Sequence, residues 1–164
     1  MFARVLVFLL LVTSAIGQTT DEAKSAEGVH YPRLIRAEIP FYPPAARAAH
    51  FGGTVEIQVT VENGAVLDAQ VQGGMVTAQA SSEQGAMRDN QEKLLPYLSL
   101  PSVANIKTWQ FQPEDHSTFL VKYVYKIEGE ETPLPENPKV QLDLPHLVTV
   151  TVRPVKPSCS DCSR

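Results

Sequence analysis

From Thr54 to Glu62 the chain reads TVEIQVTVE, and apolar and polar residues alternate without a break. Val55, Ile57, Val59 and Val61 fall on one side, and Glu56, Gln58, Thr60 and Glu62 on the other. A period of two marks a strand with one face buried and one in water, the pattern of an antiparallel sheet. Asn63-Gly64 follows at once, and a two-residue hairpin loop needs positive φ at both positions, which Asn and Gly tolerate. Val66 to Val71 is therefore the returning strand, closed by Gly73 and Gly74. A second alternating run puts Phe119, Val121, Tyr123, Tyr125 and Ile127 on one face and Leu120, Lys122, Val124 and Lys126 on the other. Its aromatic and β-branched residues favour a strand. A third run, at Val148, Val150 and Val152, follows a Pro-rich connector.

Helical signals are weaker. Pro43 and Pro44 suit a helix entrance, where a missing N–H costs nothing, and AARAAH supplies strong helix formers before Gly52 and Gly53 end them. Met87, Gln91, Leu94, Leu95 and Leu98 share one helical face, but Pro96 interrupts the run. The expectation between Met75 and Leu100 is an insertion with partial helix. A cleaner short helix begins at Pro101, with Val103, Ile106 and Lys107 leading to Trp109.

The first residues change the picture of where the chain goes. MFARVLVFLLLVTSAIGQ has one cation at Arg4, an apolar run from Val5 to Val12, and the small residues Ala15 and Gly17. This predicts a secretory signal peptide over residues 1–17, cleaved near Gly17. The apolar run is well short of the roughly 20 residues that cross a bilayer, so no membrane span is expected in the mature chain. Gln18 stands where a lipoprotein would carry cysteine. Removing Arg4 leaves 13 basic residues against 18 acidic ones, a net charge of −5, with no basic cluster to meet nucleic-acid phosphates. Residues 18–39 read as a mobile polar leader, residues 40–129 as one domain, and residues 130–164 as a Pro-rich extension with one strand and a CxxC tail.

Cys159 and Cys162 are the only cysteines, and at this spacing they can close a small disulfide in an oxidising compartment. Redox work would need the first thiol at a helix start, and only Ser163 and Arg164 follow. Metal binding would need two more ligands, and the histidines at 30, 50, 116 and 146 are isolated. A structural tail feature, intermolecular or metal pairing, and redox chemistry remain open in that order.

Four short pieces occur in a telling order: Tyr42-Pro43 with Ala46, Gly53-x-Val55, Asn63-Gly64-x-Val66, and Trp109-x-Phe111-x-Pro113. Over Pro40 to Gly129 the chain resembles the C-terminal domain of the TonB energy-transducer family, of which TolA is a distant relative. The resemblance implies an α+β fold: a small antiparallel sheet with two helices packed on one face, to which the Val148 run adds an extra C-terminal strand. It implies a core of Val55, Ile57, Val59, Trp109 and Phe111. It also implies partner binding by strand addition, in which an extended segment pairs with an exposed sheet edge. The matching edge is the strand Thr118, Phe119, Leu120, Val121, Lys122, Tyr123, Val124, Tyr125, Lys126 and Ile127. Lys122 and Lys126 there also suit plain protection of an edge, and the Leu147–Arg153 segment could occupy it.

The expected function is thus that of a periplasmic TonB-type binding module contacting an outer-membrane transporter or another envelope protein in transport. The leader from Gln18 to Ile39 holds a single proline, Pro32, so binding is expected rather than force delivered through a long spacer. The alternative is a structural or assembly protein of the envelope using the same fold, including as a homodimer. Enzymatic activity is not expected, because no nucleophile motif, paired-carboxylate setting or metal spacing occurs. No cofactor or metal is expected either.

Overall fold

A computed structural model describes residues 31–78, 90–113 and 117–156. The leader peptide, Cys159 and Cys162 lie outside the described residues. In chain order the elements are β1 (Leu34–Arg36), α1 (Pro44–Ala48), β2 (Phe51–Glu62), β3 (Ala65–Ala78), α2 (Gln91–Ile106), β4 (Gln110–Phe111), β5 (Ser117–Ile127), β6 (Lys139–Asp143) and β7 (Leu147–Val152).

The α+β expectation of a small antiparallel sheet carrying two helices is corrected by this architecture. The molecule is mostly β, and its centre is a curled, mixed sheet of seven strands in the order β1-β4-β3-β2-β5-β7-β6. Four local causes account for the difference. The β2–β3 hairpin is long, because β3 runs through Gly73 and Gly74 instead of stopping there. Leu34–Arg36, placed by the sequence in a mobile leader, pairs with β4. Lys139–Asp143 forms a strand of its own, β6. Finally, β7 pairs in parallel with β5 while β6 pairs antiparallel with β7. The connector after β5 carries β6 back one strand-width further out, and the β6–β7 hairpin returns β7 into the gap.

The β2–β3 turn is made by Asn63 and Gly64 at φ 52° and 79°, the positive values that the dipeptide permits. Gly53, at φ 145°, sits where a Cβ would come within 2.0 Å of the Met75 carbonyl oxygen on β3. Only glycine lets the two backbones approach so closely there.

One sheet face is covered. Val55, Ile57 and Val59 on β2, Val121 and Tyr123 on β5, and Val148 and Val150 on β7 are all essentially without exposure. The α2 helix lies against β3 and β2, and the five-residue α1 adds Ala46 to the same core. Trp109 and Phe111, just after α2, are buried at 2% exposure each, and Phe111 meets Phe119 edge-on at 5.9 Å. Side chains of this kind each stabilise a fold by about 1.5–3 kcal/mol on burial.

The partial helix and the short helix read from the sequence are one helix. Pro96 and Pro101 both lie inside α2. Each removes one backbone hydrogen bond, to the carbonyls of Glu92 and Tyr97, and both of those residues are exposed, where water serves. The buried stripe Leu98, Ser102 and Ile106 holds the helix on the sheet at four-residue spacing. Tertiary packing therefore outweighs the local penalty.

Candidate functional site

The strand expected to be the binding edge lies inside the sheet. β5 pairs with β2 from Ser117 to Tyr125 and with β7 from Lys122 to Ile127. Its first residues extend past the end of β7, and there Tyr31 packs on Phe119 at 5.8 Å and on His146 at 5.1 Å. Phe119, Val121, Tyr123 and Tyr125 are buried on the covered face, with Ile127 half-buried. Thr118, Leu120, Lys122 and Lys126 lie exposed on the open face, where Val124 is half-buried among them. Lys122 and Lys126 are therefore not edge lysines. Lys122 instead faces Glu56 on β2 at 3.4 Å, a cross-strand ion pair. The edge assignment of Thr118–Ile127 is corrected for a reason that lies far along the chain: β7, twenty residues later, takes the place beside β5.

The outermost strands are poor edges. β1 has three residues with a register shift, between Pro32 and Pro40. β6 has five, begins with Lys139 after Pro138, ends with Asp143, and is followed by Pro145. Short length, terminal charges and flanking prolines all discourage further pairing.

β3 has none of these features. It is fourteen residues long and contains one charge, Asp68, and no proline. On its outer side β4 reaches only Ala65. Leu67, Val71 and Met75 are 64%, 41% and 54% exposed along it.

Two side chains bracket the bare stretch. The Val76 N–H donates to Gln91 Oε1 at 2.7 Å, and Gln91 Nε2 donates back to the Val76 carbonyl at 2.7 Å. The Gln91 amide thus stands in for one residue of a neighbouring strand. Toward the other end, the Ala69 N–H donates to the carboxylate of Asp68 at 2.8 Å. Both contacts show which backbone groups point away from β2. Val76, Gly74, Val71 and Ala69 face successive odd-numbered residues of β2, so the same alternation directs the Val71 and Gly74 groups outward. Between Gln70 and Met75 no strand pairs with this outer side among the described residues.

The covered face carries a polar cluster that is structural. Tyr123 Oη donates to Asn105 Oδ1 at 2.7 Å, Trp109 Nε1 donates to the same oxygen at 3.4 Å, and Asn105 Nδ2 donates to the Glu38 carbonyl at 2.9 Å. Ser102 Oγ donates to the Leu98 carbonyl at 2.7 Å and lies 2.8 Å from Tyr125 Oη. Tyr42 Oη donates to the Phe51 carbonyl at 2.8 Å. Burial pushes the Tyr125 hydroxyl up to about 12 against the pull of its Ser102 hydrogen bond. It raises Tyr42 and Tyr123 further, with repulsion from Tyr125 adding to both. All three are phenols at neutral pH; Tyr123 and Tyr125 fasten α2, and through Asn105 the Glu38 segment, to the sheet, and Tyr42 ties its own segment to β2.

Among the described residues no group of three His, Cys, Asp or Glu side chains could hold a metal ion. No helix there is long and apolar enough to cross a membrane. Compared with known proteins, the sequence matches no protein-family model and no curated protein. Reading by residue type missed the β3 edge. The available signal was the run Ala65–Ala78, fourteen residues with one charge and neither lysine nor proline.

Proposed function

We propose that this chain is an exported, TonB-type binding module that captures an extended segment of an envelope protein by strand addition along the outer edge of β3. The observation that carries the mode of binding is the uncharged, proline-free stretch Gln70–Met75, with outward backbone groups at Val71 and Gly74 and exposed apolar side chains beside them. Strand addition draws its affinity from such backbone groups and its selectivity from alternate side chains. The class of partner comes from the resemblance of Pro40–Gly129 to TonB C-terminal domains, and the compartment from the leader around Arg4, Ala15 and Gly17. An outer-membrane transporter is the first candidate partner.

The test is a proline at an outward N–H. Val71→Pro removes a donor that bonds to nothing in β2, so the fold survives, whereas a docking strand loses its central hydrogen bond. The protein, expressed from its own leader, is used as bait against solubilised envelope proteins. Captured partner should fall at least tenfold for Val71→Pro while the far-ultraviolet spectrum stays unchanged. Equal capture by the folded variant and the wild type would overturn the assignment. Self-association through the same edge would show as a dimer in light scattering that Val71→Pro converts to monomer, and this would favour the assembly role.

A further inference from the structure

A half-open concave region lies on the open face of the sheet, away from β3. It encloses about 510 Å³ between the ends of β5, β6 and β7 and the connector that follows β5. The register of the strands builds its floor. Thr151 on β7 pairs with Lys126 on β5 to one side and with Lys139 on β6 to the other. Paired residues share a face, so two lysines flank one hydroxyl. With strands about 4.8 Å apart, their backbones stand roughly 10 Å from each other, close enough for both ammonium groups to converge above Thr151.

The opposite wall is held in place. Arg47 Nη1 donates to the Glu136 carbonyl at 2.9 Å, Arg153 Nε donates to the Glu130 carbonyl at 3.2 Å, and Arg153 Nη1 reaches Glu136 Oε1 at 3.3 Å. The Thr132 N–H donates to the Pro154 carbonyl at 2.9 Å. The Arg153 guanidinium is therefore committed to the wall. Lys126 is not comparably engaged: its nearest carboxylate, Glu128, is 3.7 Å away, beyond hydrogen-bond length. Lys139 has no ion pair among the described residues.

We infer that this cavity binds a small ligand bearing a single carboxylate, with Lys126 and Lys139 taking the two carboxylate oxygens and Thr151 Oγ1 hydrogen-bonding between them. Two cations and one hydroxyl suit a monoanion. Glu128 and Glu136, which also line the cavity, repel a second negative charge and accept hydrogen bonds from a ligand's hydroxyl or amide groups. A peptide C-terminus and a sugar acid both offer this chemistry. The site is independent of the β3 edge, and Lys126, which lies inside the finished sheet, finds a role in it.

The experiment is a titration of the ¹⁵N-labelled protein followed by NMR. The probes are acetyl-Ala-Ala, its C-terminal amide, glucuronate, glucose and inorganic phosphate. The amides of Lys126, Lys139 and Thr151 should shift with at least one of the two carboxylates, with Kd near ~1 mM, and much less with the amide, glucose or phosphate. Which carboxylate binds tighter identifies the source. Added salt should weaken binding. Lys126→Ala and Lys139→Ala should each weaken it about tenfold, and Lys139→Arg should restore most of it. Equal shifts from the neutral probes, unchanged binding by the alanine variants, or no shift with either carboxylate at about 10 mM would overturn the site.

Discussion

Asn105 joins three parts of the molecule through one side chain, and its removal should be costly out of proportion to its size. In Asn105→Ala the buried Tyr123 hydroxyl and the Trp109 N–H lose their acceptor, and the Glu38 carbonyl loses its donor. Tyr123 is 0% and Trp109 2% exposed, and the half-buried place left by the amide gives water only partial access to their polar groups. A buried polar group left unpaired costs about 1–3 kcal/mol. The Tyr123 bond at 2.7 Å should stand near the upper part of that range, the longer Trp109 contact near the bottom, and the exposed Glu38 carbonyl should add little. The sum is ~3–4 kcal/mol, a large share of the 5–15 kcal/mol that typically holds a domain together. Tyr123→Phe removes donor and need together and should cost only about 1 kcal/mol. The two effects should not add: in the double variant the tyrosine penalty is already absent, so its stability should exceed the additive expectation by at least ~1 kcal/mol. Urea unfolding of the four proteins measures all of this. Strict additivity, or an Asn105→Ala midpoint indistinguishable from wild type, would refute the reasoning.

Trp109→Ala should destabilise by roughly 3–5 kcal/mol, since the fully buried indole leaves a cavity beside Phe111; thermal melting checks it. Alkaline pH should unfold the chain through the tyrosines. Tyr125 titrates near 10 when unfolded and at about 12 when folded, and Tyr42 and Tyr123 are raised as well. Below pH ~10 both states hold these protons and the stability is intact. Above it the unfolded state loses them first, so stability falls by about 1.4 kcal/mol per pH unit for each tyrosine, through the Tyr125 window up to about 12. Urea midpoints at pH 9, 10 and 11 should show the decline, and Tyr125→Phe should reduce its slope.

What could be read from the sequence was whatever a period of two or a turn dipeptide encodes. Val55, Ile57 and Val59 alternate with exposed polar residues because β2 has one face in water, and Asn63-Gly64 fixes the hairpin whatever surrounds it. Three features escaped for physical reasons. Gly73 and Gly74 look like a stop, yet β3 runs through both, and Gly74 allows close approach: a Cβ there would meet Leu95 Cδ1 and the Thr54 carbonyl oxygen, each at 2.6 Å. Pro96 looks like a break, yet Leu98, Ser102 and Ile106 hold α2 together beyond it. The neighbour of β5 is a property of the whole sheet. Val148, Val150 and Val152 show that a strand exists, while nothing in their pattern says that it runs parallel to β5 or inserts between β5 and β6. The candidate edge moved to β3 for that reason alone.

The late insertion of β7 also has a consequence in time. A chain is synthesised at about 5–20 residues per second, and Leu147, the start of β7, comes twenty positions after Ile127, the end of β5. The β2–β3 hairpin joins neighbours in sequence, whereas β7 must pair in parallel with a strand completed earlier, and parallel pairings form slowly. Until β7 docks, then, the outer side of β5 is itself a bare edge, with Lys122 and Lys126 along it. The lysines that face solvent on the finished sheet are well placed to keep two nascent copies apart until β7 arrives.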